Sequence, residues 1–359
     1  MTNAVIANQR LYNQHISANP FMQPVEVLDW LGAVQSQDFA SAKWAVGLRL
    51  QTATDTSIEQ AFNAGQILRT HVLRPTWHFV APADIRWLLA LSASRVHALN
   101  ALYYRRLELE QHILCRSITA IVQALQGGRQ LTREELQAAL EQAGIAQATE
   151  MRLIYILMYA ELEGIICSGA RRGKQFTYAL LDERAPLQSP LKPDEAAARL
   201  ALRYFLSRGP ASLQDFAKWS GLSMATCRTG LEAVKDQLQH ELVDGQTYWC
   251  SGSVSFEESQ PAPGAYLLSI FDEYICSYKD RSAMVAESYA KKLNSMGNAL
   301  TAIMVVDGQI IGTWKRVLKK DMVLIKTDIF SAVGAAGELA MTQAMQRYAA
   351  FLELDLQPV

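Results

Sequence analysis

With 359 residues, half of them hydrophobic and only 19% charged, the chain has room for two to four modules and should be folded throughout apart from short ends. The formal net charge of −1 carries no overall nucleic-acid signal, so any DNA surface has to be a local patch. No apolar run is long enough to span a bilayer, and the start, Met1-Thr2-Asn3-Ala4, lacks the basic-then-apolar order of a signal peptide, which points to the cytoplasm.

A short helix is expected around Val5 to Asn13. Pro24 suits a first helical position, Glu26 suits the first turn, and Val27, Leu28, Leu31 and Val34 form one apolar stripe, which predicts a buried helix from about Pro24 to Val34. Beyond it stands Gln35-Ser36-Gln37-Asp38. On a continuing helix the two glutamines diverge, but in an extended segment residues two apart share a face, so a helix ending near Val34 aims both carboxamides one way. Such a pair can hold a water molecule or a base edge, because each amide offers an acceptor and a donor. It can equally satisfy a helix C-terminus.

Ser41 is expected to cap the next helix, which carries Trp44, and Thr56 or Ser57 to cap one through Phe62 that ends near Gly65. The run Ile67 to Val80, broken by Pro75, reads as two strands with a bend. Asp84 then opens a long helix towards Glu110 whose Arg86, Arg95, Arg105 and Arg106 form either a solvated face or a phosphate contact.

A second unit begins with the capping box Thr132-Arg133-Glu134-Glu135, a helix to Gly144, a helix capped by Thr149, and two strands, Ile165 to Cys167 and Phe176 to Leu180. The strands flank a basic tip with Arg171, Arg172 and Lys174. Pro186, Pro190 and Pro193 mark a linker. After it Asp194, Ser212 and Ser223 cap three helices, and Asp244-Gly245 turns a hairpin between Glu241 to Val243 and Thr247 to Trp249. The same order of elements appears three times, which makes tandem winged helices the economical reading. From about Pro263 short strands dominate: Tyr266 to Phe271, Tyr274 to Tyr278, Ala299 to Val306, Gln309 to Trp314 and Met322 to Lys326, followed by a helix from Ala335 to Leu352. The expected fold class is therefore α+β, with winged-helix modules at 1–82, 83–185 and 194–256 ahead of a C-terminal β-barrel-like domain at 262–359.

Leu31 to Ala40, the run Arg74-Pro75-Thr76-Trp77-His78-Phe79-Val80, Phe271-Asp272-Glu273-Tyr274 with Asp280-Arg281, and Val306 to Trp314 together resemble the AlkZ/YcaQ family of bacterial winged-helix DNA glycosylases that unhook interstrand crosslinks. The resemblance spans nearly the whole chain. It implies that the family's catalytic motif falls on Gln35, Ser36 and Gln37, with glutamine at the last place as in the AlkZ-like branch, while Ser36 departs from the aliphatic residue of the pattern. The implied substrate is double-stranded DNA with alkylated purines or crosslinks, bound by a monomer in the nucleoid.

The chemistry suits uncharged catalysts. A purine alkylated at its ring nitrogen seven already carries positive charge and leaves without a strong acid, so the protein need only position water and stabilise the sugar. Gln35 and Gln37 are the candidate catalytic residues, and Asp38 is the rival base if a turn swings it towards them. Candidate DNA contacts are Arg74, His78, Arg171, Arg172, Lys174, Arg281, Lys315 and Arg316. His78 reads either as a core histidine with a satisfied ring or as a lesion contact, and Trp44 and Trp77 as core aromatics or stacking platforms. Asp272, Tyr274, Tyr278 and Arg281 read as a cluster facing a cleft, or as an internal salt bridge of Arg281 with Asp272 or Asp280. No glycine-rich phosphate loop, metal-spaced Cys or His pair, or Gly-x-Ser-x-Gly elbow is present, so no cofactor and no metal is expected. The five cysteines, Cys115, Cys167, Cys227, Cys250 and Cys276, are scattered and read as reduced core thiols, with metal binding a remote option. The competing classes are a non-catalytic winged-helix regulator and a protein-binding scaffold.

Overall fold

Local chemistry sets most element boundaries in the computed structural model, which describes residues 1–145, 150–252, 264–295 and 301–357. By its own contacts the chain forms two units, Met1–Glu59 with Ala197–Val359, and Gln60–Ala196. The first opens with α1 (Asn3–Asn13), α2 (Pro24–Leu31), β1 (Val34–Gln35), α3 (Phe39–Gly47) and α4 (Asp55–Asn63). Pro24 sits at the start of α2 under a capping box between Gln23 and Glu26. The helix ends at Leu31 rather than Val34, because Gly32 takes a φ of 76° that favours glycine and closes the last turn. Asp38, not Ser41, caps α3. Its side chain accepts the Ser41 amide at 2.7 Å, so the helix starts at Phe39.

The second unit carries the hairpin β2 (Leu68–His71) and β3 (Trp77–Val80), antiparallel with Leu68 opposite Val80 and His71 opposite Trp77. Helix α5 (Ile85–Arg106) stops short of Glu110, where Glu108 adopts a φ of 52°, and α6 (Gln111–Leu125) begins, an element the sequence reading did not separate. Then follow β4 (Leu131–Thr132), α7 (Arg133–Gln142), α8 (Glu150–Leu162), β5 (Ile166–Ser168), β6 (Thr177–Leu180) and α9 (Leu181–Arg184), with strand order β4-β6-β5. The box of Thr132 and Glu135 caps α7 as expected. Thr149, the expected cap of α8, lies outside the described residues. Leu125, Leu136, Leu140, Ile156 and Ile166 form this unit's core.

Helix α10 (Pro193–Arg208) leads to α11 (Leu213–Ser220), α12 (Met224–Glu232) and the hairpin β7 (Leu238–Val243) and β8 (Gln246–Ser251). Asp244 and Gly245 turn it at φ 50° and 77°, as a two-residue turn with both central residues left-handed requires. The C-terminal part supplies β9 (Ala265–Leu268), α13 (Glu273–Cys276), α14 (Glu287–Ser295), β10 (Ile303–Val306), β11 (Gln309–Leu318), β12 (Met322–Ile329), α15 (Ala335–Phe351) and β13 (Asp355–Leu356). Its sheet runs β13-β12-β11-β10-β9 and is antiparallel except for β12 with β13. The architecture is mixed α+β with a curled, half-barrel C-terminal sheet whose edge strands among the described residues are β9 and β13. The segment expected as a strand from Tyr274 to Tyr278 is the helical turn α13, capped by Asp272. Every residue from Asp272 to Tyr278 is buried, so no alternation marks its period.

Candidate active site

The end of α2 determines how Gln35 is presented. Once Gly32 breaks the helix, Ala33 and Val34 run fully buried into β1, and Gln35 closes that strand at the margin of the interior with 9% of its surface exposed. Ser36 is buried and Gln37 is exposed. The chain bends at Gln37 and Asp38, so the alternation that would set both glutamines on one face of a strand applies only as far as Ser36. One carboxylate oxygen of Asp38 is occupied by the cap of α3.

Behind Gln35 stands one buried ion pair, and the residue before its carboxylate forms another. The Gln35 amide donates to Glu273 Oε1 at 3.0 Å, while Glu273 Oε2 accepts from Arg208 Nη2 and Trp219 Nε1, both at 2.8 Å, and from Ser277 Oγ at 3.1 Å. Arg208 also donates to the carbonyls of Leu31 at 2.7 Å and Ala33 at 3.1 Å, which the end of α2 leaves without helical partners. Arg49 grips Asp272 with two donors, at 2.9 and 3.1 Å, and reaches the carbonyls of Gln14 and Ala45. All four charged side chains are fully buried. Sequence reasoning missed Arg49, Arg208 and Glu273 as site-forming residues, since their partners lie far along the chain.

This changes the reading of the cluster expected to face a cleft. Asp272, Tyr274 and Tyr278 are completely buried, and the partner of Asp272 is Arg49. Tyr274 Oη donates to Gly308 O and Tyr278 Oη to Arg208 O, and burial raises both phenols, Tyr278 to about 12, so they remain neutral donors. Trp44 is core: its indole donates to Leu267 O, and its ring meets Tyr348 and Phe351.

Lys315 and Arg316 share a cavity of about 610 Å³ with Asp38, Ser41, Trp44 and Trp314, one residue beyond Gln37. Arg316 there donates to Tyr348 Oη at 2.5 Å. Arg281 lies elsewhere in the same unit, on a cavity of about 880 Å³ with Lys218 and Lys279. It donates to Ile275 O at 3.0 Å, and burial lowers its guanidinium from the ordinary value.

The remaining candidates belong to the second unit. His78 is wholly buried, its Nδ1 2.9 Å from Thr76 O and its Nε2 3.1 Å from Arg74 Nη2, which favours the satisfied core histidine. Arg171, Arg172 and Lys174 stand on the β5–β6 hairpin. Arg171 stacks on Phe176 and donates to Lys174 O, while Arg172 is exposed and pairs with Glu135 at 2.7 Å. In the same unit Arg69, lowered by burial to about 10, lies over Trp77 and Phe176, and His71 hydrogen-bonds Glu161 in the interior. Among the described residues no group of three His, Cys, Asp or Glu could hold a metal ion, and no helix is long and apolar enough to cross a membrane. Burial raises the Cys167 and Cys250 thiols to about 12, far from a reactive thiolate.

Comparison with known proteins places this geometry in context. A Streptomyces sahachiroi protein described as an interstrand DNA cross-link repair glycosylase is 23% identical over 321 residues, 85% of each chain. The solved structure of Streptomyces sahachiroi DNA glycosylase AlkZ matches with a TM-score of 0.82 at 21% identity, covering 100% of both chains, which shows a shared fold. The family described as DNA glycosylase AlkZ-like matches residues 28–351, nearly the whole chain, and this chain belongs to it.

Proposed function

We propose that this chain is a monofunctional DNA glycosylase that hydrolyses the N-glycosidic bond of cationic N7-alkylated purines and unhooks interstrand crosslinks built on them. Gln35 and Gln37 are its catalytic residues. The observation that supports this most is the family match over residues 28–351, which takes in Gln35-Ser36-Gln37, together with a motif whose first peptide N–H is held by a buried ion pair. Winged-helix modules at 1–82, 83–185 and 194–256, ahead of the domain at 262–359, hold the duplex as a monomer. Arg74, Arg171, Arg172, Lys174, Arg281, Lys315 and Arg316 serve as phosphate contacts.

In the reaction a water oxygen bonds to the anomeric carbon of the deoxyribose as the bond to the purine breaks. The bonding pair goes to the purine and neutralises its charge. The water's proton passes to solvent, because a carboxamide orients water without taking its proton. The glutamines contribute alignment and dipolar stabilisation of the cationic sugar, enough for a base that already leaves readily. Asp38 is the weaker candidate, since capping α3 occupies one of its oxygens.

Incubation with duplex containing N7-alkylguanine or a nitrogen-mustard crosslink tests the proposal. Alkali-labile abasic sites should appear, Gln37→Ala should slow their formation, and borohydride should trap no covalent adduct with abasic DNA. Binding to one sequence with no abasic product would identify a regulator instead. Full excision by Gln37→Ala with none by Asp38→Asn would transfer the role to Asp38.

A further inference from the structure

We infer that Glu273 is a positioning residue of the proposed glycosylase: its carboxylate, clamped by Arg208, fixes the peptide from which the Gln35 side chain projects. This rests on the catalytic reading of Gln35 and Gln37. The two buried side chains hold both sides of the turn at Gly32, Arg208 through the carbonyls of Leu31 and Ala33 and Glu273 through the amide of Gln35. The peptide groups 31–32, 33–34 and 34–35 are thereby tied to one ion pair. A Cβ at Gly32 would lie 3.8 to 4.0 Å from Leu200, Arg203 and Trp219, so side chains pack against the turn.

The chemistry at Glu273 requires a carboxylate. Its partners are the Gln35 N–H, the Arg208 guanidinium, the Trp219 indole N–H and the Ser277 hydroxyl, and the first three can only donate. A carboxamide in the same place turns an NH2 group against a donor whichever way it is flipped. Aspartate carries the same two oxygens one methylene closer to its own backbone, away from these donors. Ion pairs buried this completely bring little net stability over an apolar packing of equal volume, while removal of one partner leaves a buried charge uncompensated. A pair that ties down the catalytic peptide has a reason to be kept.

The test is single-turnover release of N7-methylguanine from a duplex, with duplex affinity measured alongside, for the parent, Glu273→Gln, Gln35→Ala and the double variant. Glu273→Gln should slow excision by ~10- to 100-fold with duplex affinity within about twofold of the parent, the pattern of a misplaced catalytic group. In the double variant it should add nothing to the loss from Gln35→Ala, whereas a purely structural role gives losses that multiply. Multiplying losses, or excision at the parent rate by Glu273→Gln while Gln35→Ala is slow, overturn the positioning role and leave the catalytic glutamine standing. Parent-rate excision by Gln35→Ala removes both. Should Glu273→Gln lack a cooperative unfolding transition, Ser277→Ala, which removes one donor to the carboxylate at the loss of a single heavy atom, takes its place. A several-fold slower excision that vanishes in the Gln35→Ala background supports the role, and the parent rate refutes it.

Discussion

Two groups of arginines in this chain do opposite things. Arg49 and Arg208 are fully buried, each saturated by a carboxylate and by backbone carbonyls, Arg49 tying α3 and Gln14 to Asp272 and Arg208 holding the segment that leads into the glutamine motif. Arg171 and Arg172 stand on the β5–β6 hairpin of the other unit, with Arg172 half exposed beside Glu135. A desolvated guanidinium with fixed partners works as a structural bolt, whereas a hydrated one such as that of Arg172 exchanges partners readily. Position along the chain decides neither role; what surrounds the guanidinium decides both.

The contrast is broken most sharply at Arg49. Arg49→Met leaves Asp272 charged in the interior and should destabilise the chain by about 3–5 kcal/mol, read from urea unfolding. A loss below ~1 kcal/mol, the usual worth of an exposed pair, would show that the buried pair is no bolt. Next comes the packing of α3 against α15. A Cβ at Gly47 would lie 2.5 Å from the Phe351 ring of α15, so Gly47→Ala should cost about 1–3 kcal/mol by overpacking in the same urea assay.

A third, smaller effect tests how Arg49's surroundings respond to pH. Burial, and then the charge of Arg49, lower His15 from 6.5 to about 4. Between those values the unfolded chain binds more protons than the folded one, so stability declines as pH falls from 6.5 towards 4 and this contribution levels off below. His15→Asn, which tolerates the left-handed φ of 55°, should flatten that part of the melting-temperature profile relative to the parent. An unchanged slope would remove His15 from the account. The smallest stability change belongs to Arg172→Ala, expected within ~1 kcal/mol of the parent. Its effect should appear in duplex binding, weakened evenly across sequences with the salt slope reduced by about one. An unaltered salt slope would take Arg172 off the DNA surface.

Much of the fold was legible from short-range chemistry. Pro24 at a helix start, the Thr132 and Glu135 box, and the Asp244-Gly245 turn each act within a few residues and appear where expected. Asp38 and Ser41 are both good caps, and only the bend at Gln37 and Asp38 selects the first. The turn at Glu273–Cys276 was misread as strand because burial on all sides erases periodicity. For the candidate site, the glutamines were visible as a motif and through family resemblance. Their support was not, since Arg49 meets Asp272 across 223 positions and Arg208 meets Glu273 across 65.

The first unit is assembled from two stretches, Met1–Glu59 and Ala197–Val359. During synthesis the amino-terminal stretch leaves the ribosome well ahead of its counter-charges. At ~5–20 residues per second, roughly 10–40 s separate Glu59 from Glu273 in the growing polypeptide. Gln60–Ala196 emerges as one uninterrupted piece and can condense in that interval, while the glutamine-bearing segment waits for a carboxylate not yet made. Truncated translation products therefore contain the motif without the means to set it in place.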